Sequence, residues 1–184
     1  MEQLYEYNIQ EKLLTAIKNQ QEGLYYLIPS KTVAFVGYGN TINTETARKA
    51  NVLEINVNNE GGVIVSEPNS LAIGFLSKNT QNKANEDFAI AFQKWLKVKG
   101  INIVIQENDL LVDGIYKVAS FSSRRFGDIL FSAFHISYNV DINIIKLLCK
   151  KPMKKIPKGL IEYGVSHIEI RNFFLTNKNI FDII

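Results

Sequence analysis

Glu107-Asn108-Asp109-Leu110-Leu111-Val112-Asp113-Gly114-Ile115-Tyr116-Lys117-Val118-Ala119 decides the fold reading. Two apolar runs, 109–112 and 115–119, are separated by Asp113-Gly114. That dipeptide suits the tight hairpin turn whose two central residues need positive φ. The hairpin carries an Asn-Asp pair at its start and one lysine on the returning strand. Desolvating an ammonium is costly. Lys117 therefore either points outward to water or serves as a point charge for a carboxylate, an acyl carbonyl or a phosphate.

Working outward, short runs suited to strands precede and follow the hairpin. Strands are predicted at 24–28, 32–37, 52–57, 62–65, 71–76, 101–105 and 129–136, with turns at Pro29-Ser30 and at Glu67-Pro68-Asn69-Ser70. Residues 82–99 form the clearest amphipathic helix: Ala84, Phe88, Ala91, Phe92, Trp95 and Leu96 share one stripe, and Gly100 ends it. A helix is predicted over 2–20, where Leu4, Leu13, Leu14 and Ile17 recur at helical spacing. Another spans 45–50 with Thr44 as its cap. A third spans 142–150, capped by Asp141, with Ile144, Ile145, Leu147 and Leu148 inward. The tail 157–184 reads as partly helical. Strands and helices mixed in this way, without repeats or linkers, indicate one α+β domain.

Composition narrows the function classes. The chain has 184 residues, 46% hydrophobic and 21% charged, with net charge +3. One globular domain with its own core is expected. Cys149 is the only cysteine, which excludes a disulfide scaffold. No apolar run approaches the roughly 20 residues that span a bilayer, and the acidic start is no signal peptide, so a cytoplasmic protein is expected. Six lysines (Lys146, Lys150, Lys151, Lys154, Lys155, Lys158) and no acid fall within 146–158, so this run carries +6 and the remainder −3. A local basic patch on a mildly acidic body is not a nucleic-acid footprint.

Common chemical motifs are missing. There is no phosphate-binding loop ending in Gly-Lys-Ser/Thr and no glycine-rich strand-to-helix turn. His135 and His167 lack metal-ligand spacing, no local serine or cysteine triad can be drawn, and no metal site is expected. Beside the hairpin and the lysine run, Asn59-Glu60-Gly61-Gly62 stands out as a glycine pair entering a strand, where backbone can approach a ligand closely.

Asn108, Asp109, Asp113, Gly114, Lys117, Val118 and Ala119 stand in an order that resembles the lipoate/biotin protein ligase and octanoyltransferase superfamily. The likeness extends to Ser123-Arg124-Arg125 and to 131–141 (FSAFHISYNVD). Upstream it includes Gly61-Gly62-Val63-Ile64-Val65-Ser66-Glu67-Pro68, Phe35-Val36-Gly37-Tyr38 and Asn40. It is nearest to short, phage-type relatives. The resemblance implies a mixed, mostly antiparallel central sheet flanked by helices, in a single core domain over 1–184 that lacks the small C-terminal domain of longer ligases. It implies acyl transfer of a lipoyl or octanoyl type to a carrier-protein lysine through an acyl-adenylate, with ATP and Mg²⁺. Lys117 would stabilise the acyl carbonyl. Gly61, Gly62, Asn108, Asp109, Ala119, Ser120, His135 and Lys158 would border the ligand or nucleotide. An acidic carrier domain would meet the 146–158 lysines.

The chain also departs from the family. Asn56 and Val57 stand where ligases carry an Arg-Arg pair, Glu60 replaces a third glycine, and Ser66 stands in place of a histidine. In Ile156-Pro157-Lys158-Gly159, Lys158 occupies the position of the octanoyltransferases' catalytic cysteine. An amine there would trap an acyl group as an amide rather than pass it on as a thioester. Cys149 lies within an apolar helix stripe and reads as a buried small residue. Two readings follow: an ATP-dependent acyl-protein ligase, or a catalytically degenerate binder that sequesters a nucleotide-like or acyl ligand.

Overall fold

The computed structural model describes residues 1–57, 62–149, 153 and 155–181. Its strands are β1 (Glu2–Gln3), β2 (Gly23–Leu27), β3 (Val33–Val36), β4 (Leu53–Asn56), β5 (Val63–Ser66), β6 (Leu71–Ser77), β7 (Ile103–Gln106), β8 (Asp109–Val112), β9 (Tyr116–Phe126), β10 (Ile129–Ile136) and β11 (Ile156–Pro157). Its helices are α1 (Ile9–Lys18), α2 (Thr44–Lys49), α3 (Ala84–Val98), α4 (Ile142–Leu148) and α5 (His167–Asn177), with 3₁₀ turns at Leu160–Tyr163 and Lys178–Phe181. The order β1-β2-β6-β10-β9-β8-β7 makes a large sheet, and β11 pairs with the start of β9. Only the β1–β2 and β11–β9 pairings are parallel in it. A smaller sheet, β4-β3-β5, is parallel on one side of β3 and antiparallel on the other. This is the mixed, mostly antiparallel α+β architecture that the sequence implied.

The layers follow from side-chain alternation. One face of the large sheet packs α3 and α5, through Phe88, Phe92, Leu96, Phe173 and Phe174 against Phe75, Phe134 and Ile136. The other face packs α1 and the small sheet, where Leu13, Phe35 and Ile55 meet Leu76, Ile129 and Phe131. The small sheet's outer face is covered by α2 and α4, with Ala34 and Val36 against Ala47, Ile145 and Leu148. No helix among the described residues is long and apolar enough to cross a membrane.

The decisive hairpin forms as read. Asp113 and Gly114 adopt φ of 52° and 71°, and Ile115 N–H donates to the Val112 carbonyl at 3.0 Å. Several expectations are corrected. The first helix begins at Ile9, because Glu2–Gln3 pairs alongside Tyr25 and Tyr26 and Leu4 N–H donates to the Tyr26 carbonyl. Open backbone partners on the edge strand outweigh helix propensity there. Asn43, not Thr44, caps α2: its side chain accepts from Thr46 N–H at 3.1 Å. The returning strand of the hairpin runs on to Phe126, since its Ser and Arg residues stay paired with β10. Asp141 caps α4 as expected, but the helix ends at Leu148 and Leu147 is exposed.

Candidate functional site

Two cavities lie between the sheets. A larger, more polar one of about 390 Å³ is lined by Lys117, Asp109, Lys155 and Cys149, among others, and by Gly39, Asn40 and Thr41. An apolar one of about 70 Å³ is lined by Tyr25, Phe35, Ile64, Gly74, Phe131 and their neighbours. Gly62, Ile64, Ser120 and His135 line both, so the two spaces meet at these residues.

A β-bulge brings the polar residues together. Asp109 pairs with Ser120 and Leu110 with Ala119, but Leu111 pairs with Lys117. Val118 is the extra residue, and it is fully buried in the α3-side core. Without a bulge, residues 117 and 120 would point to opposite faces, because side chains alternate along a strand. The bulge resets the alternation and puts both into the polar cavity.

Lys117 is held by charge. Its Nζ lies 2.8 Å from Asp109 Oδ1, and Lys155 Nζ lies 3.1 Å from Asp109 Oδ2. Lys155 is delivered by β11, whose Pro157 pairs with Lys117 and whose next residue, Lys158, donates its N–H to the Lys117 carbonyl at 2.9 Å. One carboxylate thus fixes two ammonium groups on the cavity wall. His135 Nε2 lies 3.0 Å from Ser66 Oγ, and both residues are buried. Ser120 is also buried, and its Oγ has no hydrogen-bond partner among the described residues. A buried hydroxyl where two cavities join is available to a ligand oxygen.

Burial, aided by the charge of Lys117, pushes the His135 imidazole down to about 3. It is therefore neutral in the folded protein at ordinary pH. The unfolded chain carries this histidine near its usual value of about 6.5. Between those values the unfolded state binds the extra proton, so stability falls as pH drops through that window, by at most about 1.4 kcal/mol per unit. His135→Gln is expected to flatten this component. Urea midpoints for both proteins at pH about 7 and about 5 check it, and parallel losses would show that the buried histidine is not the source.

Gly62, Asp109, Lys117, Ala119, Ser120 and His135, all expected at the site, line the polar cavity. Gly61 lies outside the described residues, as do Asn59, Glu60 and the lysines at 150, 151 and 154. Asn108 is exposed in the β7–β8 turn, where its carbonyl accepts from Phe121 N–H, and it does not line the cavity. Lys158 turns away to pair with Glu162 at 3.2 Å and to sit over the Tyr116 and Tyr163 rings. Glu162 raises its pKa, so it holds its proton firmly. Cys149, read as simply buried, is half-buried on the polar cavity wall, and burial raises its thiol pKa. A thiol held protonated is a poor acyl acceptor. Lys155 was visible only as one lysine of six, with nothing local to distinguish it.

The model for the lipoyl protein ligase A/B catalytic domain matches residues 2–175. This chain belongs to that family. No curated protein sequence matches it. Among solved structures, the bipartite lipoate protein ligase of the archaeon Thermoplasma acidophilum, reported with its E2 lipoyl domain, aligns with a TM-score of 0.75 over all of this chain and 84% of that one, at 12% identity. P. falciparum LipL1 in complex with lipoate aligns at 0.73 with 15% identity, over 98% of this chain and 60% of that one. A lipoate-protein ligase A bound with ATP aligns at 0.70 with 13% identity, over 89% and 75%. At such identities these neighbours speak to the shared ligase fold. Within the ligase family's catalytic-domain match, both cavities and the Lys117 hairpin are included.

Proposed function

We propose that this protein is an acyl-protein ligase that activates a lipoyl- or octanoyl-type acid and transfers it to a lysine of a carrier protein. The observation that carries the reading is an apolar cavity that adjoins a more polar one beside Lys117, with Gly62, Ile64, Ser120 and His135 lining both. An acid chain would occupy the apolar space, leaving its carboxyl end among Ser120, His135 and Lys117. The Lys117 ammonium stabilises negative charge as it develops on the acyl oxygen, as a preorganised cation does. Asp109 holds that ammonium in place and Lys155 keeps Asp109 from neutralising it fully. Neutral His135, fixed by Ser66, contributes a polar edge without adding positive charge.

ATP suits the polar cavity. Its volume falls within the about 300–1,000 Å³ usual for small-molecule sites. Lys117 and Lys155 give it cationic groups, and Gly39, Asn40 and Thr41 line it beside them. When bound, ATP supplies the adenylyl group that activates the acid. Transfer is completed when the carrier amine attacks the acyl carbon, the bond to the AMP oxygen breaks and the amine loses a proton. A protein-held Mg²⁺ does not suit the residues: among those described no group of three His, Cys, Asp or Glu gathers, and both Asp109 oxygens face lysines. No step is assigned to it.

The test is intact-mass analysis of a lipoyl-domain carrier incubated with the protein, ATP and lipoate or octanoate. The carrier should gain one acyl group, and an unmodified carrier with every acid would refute transfer. We also assign the lysine run a role in attracting an acidic carrier, although Lys155 faces the cavity and Lys158 is paired with Glu162. Salt would then raise the KM for the carrier more than that for the acid.

One observation favours the second reading, a binder without turnover. Asn56 is exposed and Val57 lines the apolar cavity, so neither brings a cation to the junction. Under that reading, nucleotides or acyl acids raise the melting temperature and no carrier is modified.

A further inference from the structure

We infer that Gly74 sets the depth of the apolar cavity, with Phe131 as its floor, and thereby selects unbranched carboxylic acids by chain length. This rests on the acyl-ligase reading of the site. The inward sheet face is built in rows. Leu27, Ala72, His135, Ser120 and Asp109 lie side by side across five strands and border the polar junction. The next row is Tyr25, Gly74, Ala133 and Ser122, all lining the apolar cavity. The third is Leu76, Phe131 and Arg124, of which Phe131 lines the cavity.

The middle row is small at its centre and aromatic at one end. Glycine inside a central strand weakens it and often marks a close approach. Gly74 pairs with Tyr25 on one side and Ala133 on the other, and its φ lies outside the left-handed region, so backbone conformation does not demand glycine. The demand is space: a Cβ there would lie 3.2 Å from Phe131 Cε2 and 3.5 Å from Leu13 Cδ2. Both of those side chains line the cavity. The Phe131 ring and Leu13 already cover Gly74, so any side chain at 74 would press on these two cavity-lining groups and narrow the space beside them. Phe131 is buried and lines the cavity, so a shorter residue at that position would enlarge it.

Calorimetric binding of butanoate, hexanoate, octanoate and decanoate to the full-length protein tests this. For the wild type, affinity should rise about fourfold per buried methylene until the floor is reached. Gly74→Ala should weaken the longest acid that fits about tenfold or more and leave butanoate within about twofold. Phe131→Leu should instead favour the longest acids several-fold over wild type. Equal weakening of all acids by Gly74→Ala, or an unchanged length preference in both variants, would overturn the inference. If the wild type binds none of the acids, the acyl reading itself fails, which is a separate outcome from a length series that ignores residue 74.

Discussion

Lys117→Met is expected to slow acyl transfer by about two to three orders of magnitude, as loss of one preorganised charge-stabilising group does elsewhere. The fold should survive the change. Asp109 keeps Lys155 at 3.1 Å, so its carboxylate is not left without a counter-charge. The Lys117–Asp109 pair is also partly open to solvent, which limits what it adds to stability. The melting temperature should therefore move by only a few degrees. Steady-state transfer assays beside thermal melts check both halves. A variant that transfers at the wild-type rate would remove Lys117 from the chemistry, whereas one that merely unfolds would leave its Asp109→Asn counterpart to decide.

Phe88→Ala should cost the fold about 3–5 kcal/mol. Phe88 is fully buried and its ring meets Phe134 and Phe181 at 5.0 Å, Phe173 at 5.4 Å and Phe174 at 6.3 Å. It touches α5, the final turn and the sheet at once, so α3, α5 and that turn share one core through it and through neighbours such as Phe92. The surrounding rings belong to separate elements and cannot all collapse into the space left behind. A drop in melting temperature on the order of 10 °C is expected in calorimetry. The site lies on the opposite face of the sheet, so ligand affinity measured well below the transition should change little. A shift of only a degree or two would show that this aromatic cluster is not the main anchor.

Much of this was readable from residues in order. Asp113-Gly114 marked the hairpin because few dipeptides accept positive φ twice. A lysine in an apolar strand marked Lys117, since an ammonium there needs a reason. The Ala84–Leu96 stripe marked α3 by period alone, with a rotation: Asn85 and Ala89 are buried, while Ala91 and Trp95 are only partly so. What stayed hidden depends on pairing. Nothing in Lys117-Val118-Ala119-Ser120 reveals the bulge that brings Lys117 and Ser120 to one face. Leu71-Ala72-Ile73-Gly74 reads as evenly apolar, and only its register beside His135 and Ala133 shows that Ala72 and Gly74 line a cavity. The departure of Asn108 follows from the same cause: sequence adjacency to Asp109 says nothing of which side of a turn a residue ends on. The N-terminal helix was overextended because helical spacing at Leu4 could not reveal a strand edge waiting at Tyr25 and Tyr26.

Pyrophosphate release from ATP across a panel of carboxylic acids, without any carrier present, shows whether the adjoining cavities activate an acid. Release should depend on an acid with an apolar chain and fall sharply in Lys117→Met. Well-folded wild-type protein that releases no pyrophosphate with any acid, while lipoate, octanoate or a nucleotide still raises its melting temperature, would contradict acid activation and leave a binding protein in its place.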